Sequence, residues 1–231
     1  MSVAHDDRLA ALAALAEPLR RNLYLHVADA PVAVSRDDAA AALGVSRSVA
    51  AFHLDKLAEL GLLDVEYRRP PGRGGPGAGR PAKLYRRSHG EVAFTVPERH
   101  YDLAASILAS AVADAQEEDV PLDQALRAAS RRCGRDLAAP PTGAAEPRSE
   151  VQVLGRVAEV LSSHGYEPCH EEDRITLENC PFHALAEQHR ALVCGMNLGV
   201  IEGILEGAGA TEVEASLDPA PGRCCVTMRV G

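Results

Sequence analysis

Five side chains in the C-terminal part of the 231-residue chain are the leading candidate ligands for a soft metal ion. They are Cys180, His183, Cys194, Cys224 and Cys225. Thiolates suit both iron–sulfur clusters and zinc, and imidazole is a common zinc ligand. The sequence lacks the CxxC pair that is typical of structural zinc sites. The residues therefore predict a metal or cluster site, and their chemistry leaves both an iron–sulfur cluster and zinc open.

The first of these cysteines precedes a predicted helix, in the stretch "ENCPFH". Pro181 suits the first position of a helix, which puts Cys180 at or beside the N-cap. The helix dipole would stabilise a thiolate there, and the thiolate is the form that binds metal. His183 would lie on the same side of the helix, as a ligand or as a donor that orients one.

Helix geometry limits how Cys180 and Cys194 can meet. In one straight helix they would be about 21 Å apart, because each residue adds about 1.5 Å. That separation is too large for a shared cluster, so we expect the helix to break. The stretch "EQHRAL" has no Gly or Pro, and His189-Arg190 is the natural place for the turn.

The remaining ligands are less well defined by the sequence. Neighbours on a strand point to opposite faces, so only one of Cys224 and Cys225 should face the site, and the sequence does not say which. The pair Cys169-His170 has no spacing that recommends it as a ligand source. A fourth ligand is not identified.

Charge is distributed unevenly along the chain, whose net charge is −9. Residues 1–90 carry 13 Lys and Arg against 10 Asp and Glu, whereas residues 91–231 carry 11 against 23. The basic residues within 64–87 are Arg68, Arg69, Arg73, Arg80, Lys83, Arg86 and Arg87. A basic stripe in an acidic protein indicates a polyanionic partner, although a solvated basic loop gives the same pattern.

The elements before and within this stripe follow a definite order. Apolar residues at spacings of three and four predict two helices divided at Pro18. Ser35 and Ser46 are predicted N-caps of two further helices, which end at Gly44 and Gly61. The stretches "LLDVEYRR" and "AKLYRR" then predict a hairpin with a long basic tip. Helices in this order, followed by a basic hairpin, are typical of a winged helix-turn-helix.

The last of these helices carries side chains suited to reading DNA. Residues at the N-terminus of a recognition helix approach base edges in the major groove. The candidates here are Ser46, Arg47, Ser48, Ala51 and Phe52. Arg47 can bind guanine through two hydrogen bonds, and Ala51 or Phe52 can contact a thymine methyl, unless Phe52 is a core residue. The wing residues Arg68, Arg69, Arg73, Arg80 and Lys83 are predicted to neutralise phosphates.

Two resemblances to known families support this interpretation. The stretch "GVSRSVAAFHLDKLAELGLL", followed by "GRPAKLYRRS", resembles the recognition helix and wing of bacterial ArsR/DeoR-like winged helix-turn-helix regulators. That resemblance covers about residues 17–87 and implies a double-stranded DNA operator and a homodimer. The arrangement of Cys180, Cys194 and Cys224 or Cys225 resembles that of the SufR-type iron–sulfur repressors, which implies a cluster held by three cysteines.

The whole chain is expected to have an α+β fold in three parts. Residues 1–90 form the winged helix-turn-helix domain, residues 91–148 form a helical dimerisation or connecting segment with a linker, and residues 149–231 form an α+β sensor domain. The linker is the stretch "AAPPTGAAEPRS". The helices of the middle part either pair with their copies in a dimer or pack on the third part.

We therefore expect a DNA-binding transcription regulator whose metal or cluster site changes its affinity for the operator. The alternative is a regulator that responds to a small organic effector, with Cys180 as a helix cap and Cys194 in the core. An enzyme that uses Cys180 with His183 or His189 is disfavoured, because no third orienting residue is visible. No stretch reaches the roughly 18 to 20 apolar residues of a membrane span, and the N-terminus is acidic, so a cytoplasmic protein is expected.

Overall fold

The computed structural model describes residues 5–68, 81–140, 149–171 and 174–231. The chain divides into two compact units, Met1–Phe94 and Thr95–Gly231. Each unit has its own cluster of buried hydrophobic side chains. Helices combined with two small antiparallel sheets fit the α+β class.

The first unit surrounds a three-stranded sheet with helices. Its elements are α1 (His5–Ala14), α2 (Pro18–Asp29), β1 (Val34–Ser35), α3 (Arg36–Leu43), α4 (Arg47–Glu59), β2 (Leu63–Arg68) and β3 (Ala82–Arg87). The sheet order is β1-β3-β2. Leu23, Leu54, Leu57 and Tyr85 are fully buried between the helices and the sheet. This core fixes the direction of α4, which is the predicted recognition helix.

Local capping explains where the helices of the first unit begin and end. Pro18 occupies the first position of α2, where the missing N–H costs nothing. Ser35 Oγ accepts the N–H of Asp38 at 3.1 Å, and Ser46 caps α4 in the same way. Gly44 ends α3 with a φ of 66°, a conformation that glycine adopts without steric cost. The predicted boundaries of these helices are confirmed.

The predicted hairpin is also present. Strands β2 and β3 pair in antiparallel register, with Asp64 opposite Arg86. The hairpin tip, with Arg69, Arg73 and Arg80, lies outside the described residues. Strand β1 was not predicted, because two residues are too few to show the period of a strand.

In its described residues, the second unit packs five helices against a four-stranded sheet. The helices are α5 (Tyr101–Glu118), α6 (Leu122–Leu137), α7 (Glu150–Ser163), α8 (His183–Gln188) and α9 (Arg190–Ala208). The strands are β4 (Pro168–Glu171), β5 (Arg174–Leu177), β6 (Val213–Leu217) and β7 (Val226–Val230), in the order β4-β5-β7-β6. The sheet is antiparallel throughout.

Helices α5 and α6 share one hydrophobic core with the elements that follow them. The predicted middle part and the predicted sensor domain therefore lie in a single unit, which differs from the three-part division expected from the sequence. The boundary was predicted from the Pro- and Ala-rich stretch between the two parts. In the structure the buried face of α6 packs on α9, which joins them into one core. This agrees with the second of the two interpretations of the middle helices.

Small residues allow α6 and α9 to approach very closely. The contacting positions recur every four residues: Ser130 and Gly134 on α6 with its C-cap residue Ala138, and Gly199, Gly203 and Gly207 on α9. A Cβ atom on Gly203 would lie 2.9 Å from the carbonyl carbon of Arg131, and closer still to its oxygen. A Cβ on Gly199 would lie 2.8 Å from Cβ of Ser130. The helix backbones are thus nearly in contact, and no larger residue fits at Gly203.

Helix α9 is the main core element of the second unit. By length and composition alone it could cross a membrane, with a mean hydropathy of 1.4 over the tested window. In the structure 61% of that window is buried inside the protein. A core helix passes the same test, so the apolar character of α9 is explained by its burial.

Candidate nucleic-acid interface and four-cysteine site

The N-terminus of α4 presents the predicted DNA-reading residues to solvent. Ser46, Arg47 and Ser48 are all exposed, and the Oγ atoms of the two serines are 3.0 Å apart. Arg47 Nε lies 2.7 Å from Asp37 Oδ1, and both side chains are 67% exposed. An exposed ion pair contributes about 0–1 kcal/mol, so a phosphate or a base edge can compete for Arg47. Ala51 is half-buried further along the helix.

Two aromatic side chains stand out of the first unit into solvent. Phe52 on α4 and Tyr67 on β2 are each 65% exposed. The alternative that Phe52 is a core residue is therefore wrong, since the core position on this turn is taken by the fully buried Leu54. Aromatic side chains carry much of the energy of binding interfaces, and both rings are accessible to a partner.

A network of ion pairs and hydrogen bonds between partly buried side chains joins α4 to α3 and to the wing, which is the β2–β3 hairpin. The carboxylate of Asp55 accepts hydrogen bonds from Arg36 Nη2 at 2.7 and 2.9 Å, Lys83 Nζ at 2.5 Å and Tyr85 Oη at 2.6 Å. Arg36 Nε also donates to Tyr85 Oη at 2.8 Å. Burial alone would raise the pKa of Asp55, but the hydrogen bonds from Lys83, Tyr85 and Arg36 hold it below its usual value.

This network changes how Lys83, a predicted phosphate-binding residue, is understood. Through its bonds from Lys83 and Tyr85, Asp55 holds α4 against β3. Lys83 has its charge engaged with Asp55 and is 24% exposed, so its predicted phosphate contact stays a prediction. Arg36 and Tyr85 were missed, because nothing in their local sequence indicates a partner on α4.

A cleft of about 500 Å³ opens between the start of α4 and the wing. Arg36, Arg47, Tyr67 and Lys83 line it, with Asp37 as an acidic neighbour. On the outer part of the wing, Arg68 donates to Glu66 at 2.9 Å and is 61% exposed. The described part of the wing thus offers cations beside an exposed ring, an arrangement suited to a phosphate backbone.

A break between two helices brings cysteines that are distant in the sequence of the second unit close together. Helix α8 ends at Gln188 and α9 begins at Arg190, and His189 between them has φ −131° and ψ 52°. The predicted break at His189-Arg190 is confirmed. The break turns α9 back, so that Cys194 lines the same cavity as Cys180.

Four thiols lie side by side at this place, which is called the four-cysteine site: Cys180, Cys194, Cys224 and Cys225. Cys180 is within hydrogen-bonding reach of Cys224, Cys224 of Cys225, and Cys225 of Cys194. A cavity of about 320 Å³ borders all four. Its other walls include His183, Arg190 and the loop of residues 219–223.

The local structure around Cys180 differs from the expectation. Helix α8 begins at His183, and Phe182 is its N-cap residue without a side-chain cap. Phe182 is fully buried, and the His183 N–H donates to the carbonyl of Cys180 at 3.1 Å, so residues 180–183 form a turn. The prediction that Cys180 caps this helix is wrong, because burial of Phe182 draws the chain into a turn before the helix starts.

Consequently the thiols in this structure are not activated by a helix dipole. The hydrogen bond with Cys224 and burial raise the pKa of Cys180, and they outweigh the Phe182 N–H and the Arg99 charge, which lower it. For Cys224 the bond with Cys180 lowers the pKa, while the bond with Cys225 and burial raise it, to about 11. Burial is the main reason that the pKa of Cys194 is raised. Metal binding would therefore displace protons from these thiols.

Cys224 and Cys225 both border the cavity. The expectation that only one of them faces it is wrong, because β7 begins at Val226 and strand alternation does not apply to the residues before it. The Cys224 N–H donates to Leu177 O at 2.8 Å, and the Cys225 carbonyl accepts the Asp218 N–H at 2.7 Å. These bonds fix the pair between two strands.

The predicted histidine and the alternative ligand pair are less closely associated with the thiols. His183 is 58% exposed and its Nε2 lies 3.5 Å from Glu187 Oε1, so its ring is directed toward that carboxylate. Cys169 and His170 are exposed on β4. Cys133 is half-buried against the core.

The donor set fits a soft metal, although the thiols do not surround a common point. Within residues 5–68, 81–140, 149–171 and 174–231, no group of three or more His, Cys, Asp or Glu side chains is arranged to hold a metal ion. Four neighbouring thiols are nevertheless the ligand chemistry of iron–sulfur clusters and of zinc.

A buried polar chain supports the site from behind. Asn197 is fully buried in α9, and its Nδ2 donates to Cys224 Sγ at 3.2 Å. Tyr166 Oη donates to Asn197 Oδ1 at 2.5 Å, which fixes the orientation of the amide. Neither residue was predicted from the sequence. The available signal was a single Asn in the apolar stretch "LVCGMNLGVI" of α9.

Comparison with known proteins bears on the first unit. A family described as "Helix-turn-helix domain" matches residues 15–66, which run from the end of α1 into β2. No curated protein and no solved structure matches the chain. The ArsR/DeoR-like and SufR-type resemblances stay predictions. Residues 15–66 are thus a helix-turn-helix domain, which indicates DNA-binding transcriptional regulation, and regulators of this kind are generally not enzymes.

Proposed function

We propose that the protein is a homodimeric transcription regulator of the cytoplasm whose four-cysteine site binds an iron–sulfur cluster and thereby changes operator affinity. The observation that carries the proposal is the row of four thiols beside a cavity, in a chain with a helix-turn-helix domain. The sequence identified three cysteine positions for the ligands. The fourth thiol supplies the ligand that the sequence left unidentified.

The size of the cavity favours a cluster over zinc. A tetrahedral zinc ion sits about 2.3 Å from each sulfur and needs no space beyond the ligands themselves. The cavity of about 320 Å³ beside the four thiols leaves more space than a single ion needs. Arg190 and Arg223 line the same cavity and would offset the negative charge of four thiolates. Arg223 is held in place by Asp218, 2.7 Å from its Nη2.

Each of the surrounding residues has a definite role toward a bound cluster. Cys180, Cys194, Cys224 and Cys225 would hold it, and Asn197 would keep donating to the sulfur of Cys224, an interaction that influences cluster potentials. The bound group would supply a centre that oxidation or loss can alter. His183, at the rim of the cavity, is a candidate donor to a ligand or to the exposed side of the group.

The first unit would read DNA with α4. Arg47 and the neighbouring serines would contact base edges or phosphates in the major groove, and Phe52 would contact a thymine methyl. Arg68, with the basic residues of the wing tip, would neutralise phosphates and make affinity fall with salt. The exposed ring of Tyr67, which lines the same cleft as Arg47, supports an interface at this face.

Dimer formation is supported by a second apolar stripe on α5. One face of this helix is buried in the core through Ala104, Ile107 and Ala111. On another face, Tyr101 and Val112 are 38% and 45% exposed. A dimer with two-fold symmetry would bind two operator half-sites, as helix-turn-helix dimers do.

Anaerobic purification with measurement of the ultraviolet–visible spectrum, iron, sulfide and zinc tests the cluster. Wild type should be brown, and replacing any one of the four cysteines by Ser should abolish most of the broad absorbance. Cys169→Ser is the matched control, because Cys169 is exposed on β4, and it should keep the iron content. Stoichiometric zinc without iron would replace the cluster by the zinc alternative.

The absence of a preformed ligand cage among the described side chains favours one competing function. In it, the cavity takes a small organic effector and the thiols are structural; the volume of about 320 Å³ lies at the lower end of ligand pockets. An anaerobically purified protein without iron, sulfide or zinc would support this second candidate. Under it, all four Ser variants would keep their response to the effector.

A further inference from the structure

The cysteine site is hydrogen-bonded to the start of the second unit. The residues that follow directly on the first unit, 95–100, are called the connector; they lead into α5. The residues around the first cysteine, 178–182, are called the cysteine loop. Hydrogen bonds between these two segments link the four-cysteine site to the connector, which follows directly on the first unit.

Arg99 makes the central contacts. Its Nη1 donates to the side-chain Oδ1 of Asn179, to the carbonyl of Cys180 at 3.0 Å and to the carbonyl of Glu98 at 3.3 Å. Its backbone N–H donates to Thr95 Oγ1 at 2.7 Å. One guanidinium therefore ties the backbone of a candidate ligand residue to the connector.

Asn179 completes the contact from the other side. Its Nδ2 donates to Glu98 O at 3.0 Å and to Gly165 O at 2.5 Å. The side chain is 7% exposed, and both its Oδ1 and its Nδ2 are used. Buried polar groups are costly to leave unpaired, so the connector and the cysteine loop are expected to move together.

Two further features tighten this junction. The His100 N–H donates to the carbonyl of Pro181 at 3.1 Å, and His100 is the N-cap residue of α5. A Cβ atom on Gly165 would lie 3.2 Å from the carbonyl oxygen of Glu98, so the connector packs directly on this turn. The start of α5 is thus anchored on the cysteine loop.

We propose that Arg99, Asn179 and the carbonyl of Cys180 form a latch that transmits occupancy of the four-cysteine site to the connector. The inference rests on the proposed function, because it requires a metal or cluster at that site. Cys180 belongs to both the four-cysteine site and the latch. Its sulfur is within reach of Cys224, and its carbonyl accepts a hydrogen bond from Arg99.

Binding of a metal or cluster at the four-cysteine site would require Cys180 to change its position. Its sulfur must leave Cys224 and turn toward a point shared with the other thiols. A backbone adjustment of the cysteine loop then either breaks the bond to Arg99 or carries the connector with it. A ligand shifts an equilibrium only when it binds the two states unequally, and the latch supplies that difference.

The test compares Arg99→Gln with wild type in the full chain. Gln keeps much of the side-chain length but cannot bond to all three acceptors. The DNA probe is a duplex selected from a random pool by wild type, and its affinity is measured for cluster-loaded and cluster-free protein. Allosteric ratios are typically ~5–150-fold. We expect such a ratio in wild type and a ratio within about twofold of one in Arg99→Gln, with unchanged iron per chain.

Arg156→Gln is the matched control. Arg156 is another half-buried arginine of the second unit, and it donates to the carbonyl of Ala138, away from the cysteine loop. This variant should keep the wild-type ratio. Arg99→Met, which keeps the length of the side chain but has no donor, replaces Arg99→Gln if the latter does not fold.

Backbone hydrogen exchange gives a readout that does not depend on DNA. Loading should change exchange in both residues 95–100 and residues 178–182 of wild type, whereas in Arg99→Gln the change should remain only in residues 178–182. A wild-type ratio and wild-type exchange in Arg99→Gln would overturn the latch while leaving the cluster in place. A wild type that binds no cluster would overturn the proposed function, and the latch with it.

Discussion

The close approach of α6 and α9 predicts opposite effects on stability for a Gly to Ala substitution at two positions of α9. In Gly203→Ala, the new Cβ would lie 2.9 Å from the carbonyl carbon of Arg131. At Gly195, also in α9, the same atom would have no neighbour within 4 Å. Gly155 in α7 is equally open and gives a second control outside the helix pair.

The magnitudes follow from two known effects. Replacing a helical Gly by Ala stabilises by about 0.5–1 kcal/mol when nothing else changes, which is the expectation for Gly195→Ala and Gly155→Ala. Forcing extra volume into a packed interface costs about 1–3 kcal/mol. At Gly203 the obstacle is backbone, which has no rotamer to change, so the upper end applies. Gly203→Ala should therefore be net destabilising by about 1–2 kcal/mol.

Guanidinium unfolding of the metal-free protein, followed by circular dichroism, measures these free energies. A shift of 1 kcal/mol corresponds to about 2–4 °C in the unfolding temperature of a domain of roughly 150–250 residues. We expect Gly203→Ala to unfold earlier than wild type and both controls to unfold later. Equal or greater stability of Gly203→Ala relative to Gly195→Ala would refute the close packing described here.

Three other substitutions test the two sites. Asp55→Ala should destabilise the first unit by about 1–3 kcal/mol, since hydrogen bonds to charged groups are lost; Asp64→Ala, at an exposed pair 3.7 Å long, should cost less than about 0.5 kcal/mol. The pKa of Asp55 is lowered in the folded protein. Its contribution to the free energy of unfolding should therefore be present above the unfolded pKa of about 3.9 and disappear as pH falls below that value. Acid unfolding of Asp55→Ala and Asp64→Ala would measure this difference. Asn197→Ala should lower the free energy of unfolding by about 2–4 kcal/mol, through a cavity and unpaired polar groups, and equal stability in denaturant would contradict the buried chain. Arg47→Ala should weaken binding to a selected duplex, measured by fluorescence anisotropy, by about 1–3 kcal/mol. Lys56 lies in the last turn of α4 and pairs with Glu59 at 3.3 Å; a similar loss in Lys56→Ala would show that Arg47 has no specific role.

The sequence predicted those features whose causes are local. Ser35, Gly44 and Ser46 act on backbone groups within a few residues, so the helix boundaries of the first unit could be read directly. The break at His189 was predicted for another reason: two cysteines on one straight helix are too far apart to share a site. In both cases short-range geometry was sufficient.

Features that depend on distant contacts were not predicted. The burial of Phe182 moved the start of α8, and the late start of β7 left Cys225 facing the cavity. Asn197 meets Tyr166 across 31 positions of the chain, and Asp55 meets Tyr85 across 30. No period or motif indicates such partners, because any of several polar residues would look equally suitable before the chain is folded.

The network around Asp55 has a consequence for the kinetics of recognition. Because Arg36, Lys83 and Tyr85 hold α4 in place before any partner arrives, little conformational entropy remains to be lost there on association. Binding by α4 is then closer to rigid docking than to folding upon contact. Encounter would be governed by charge and diffusion, and discrimination between sequences would appear mainly in how slowly the correct complex dissociates.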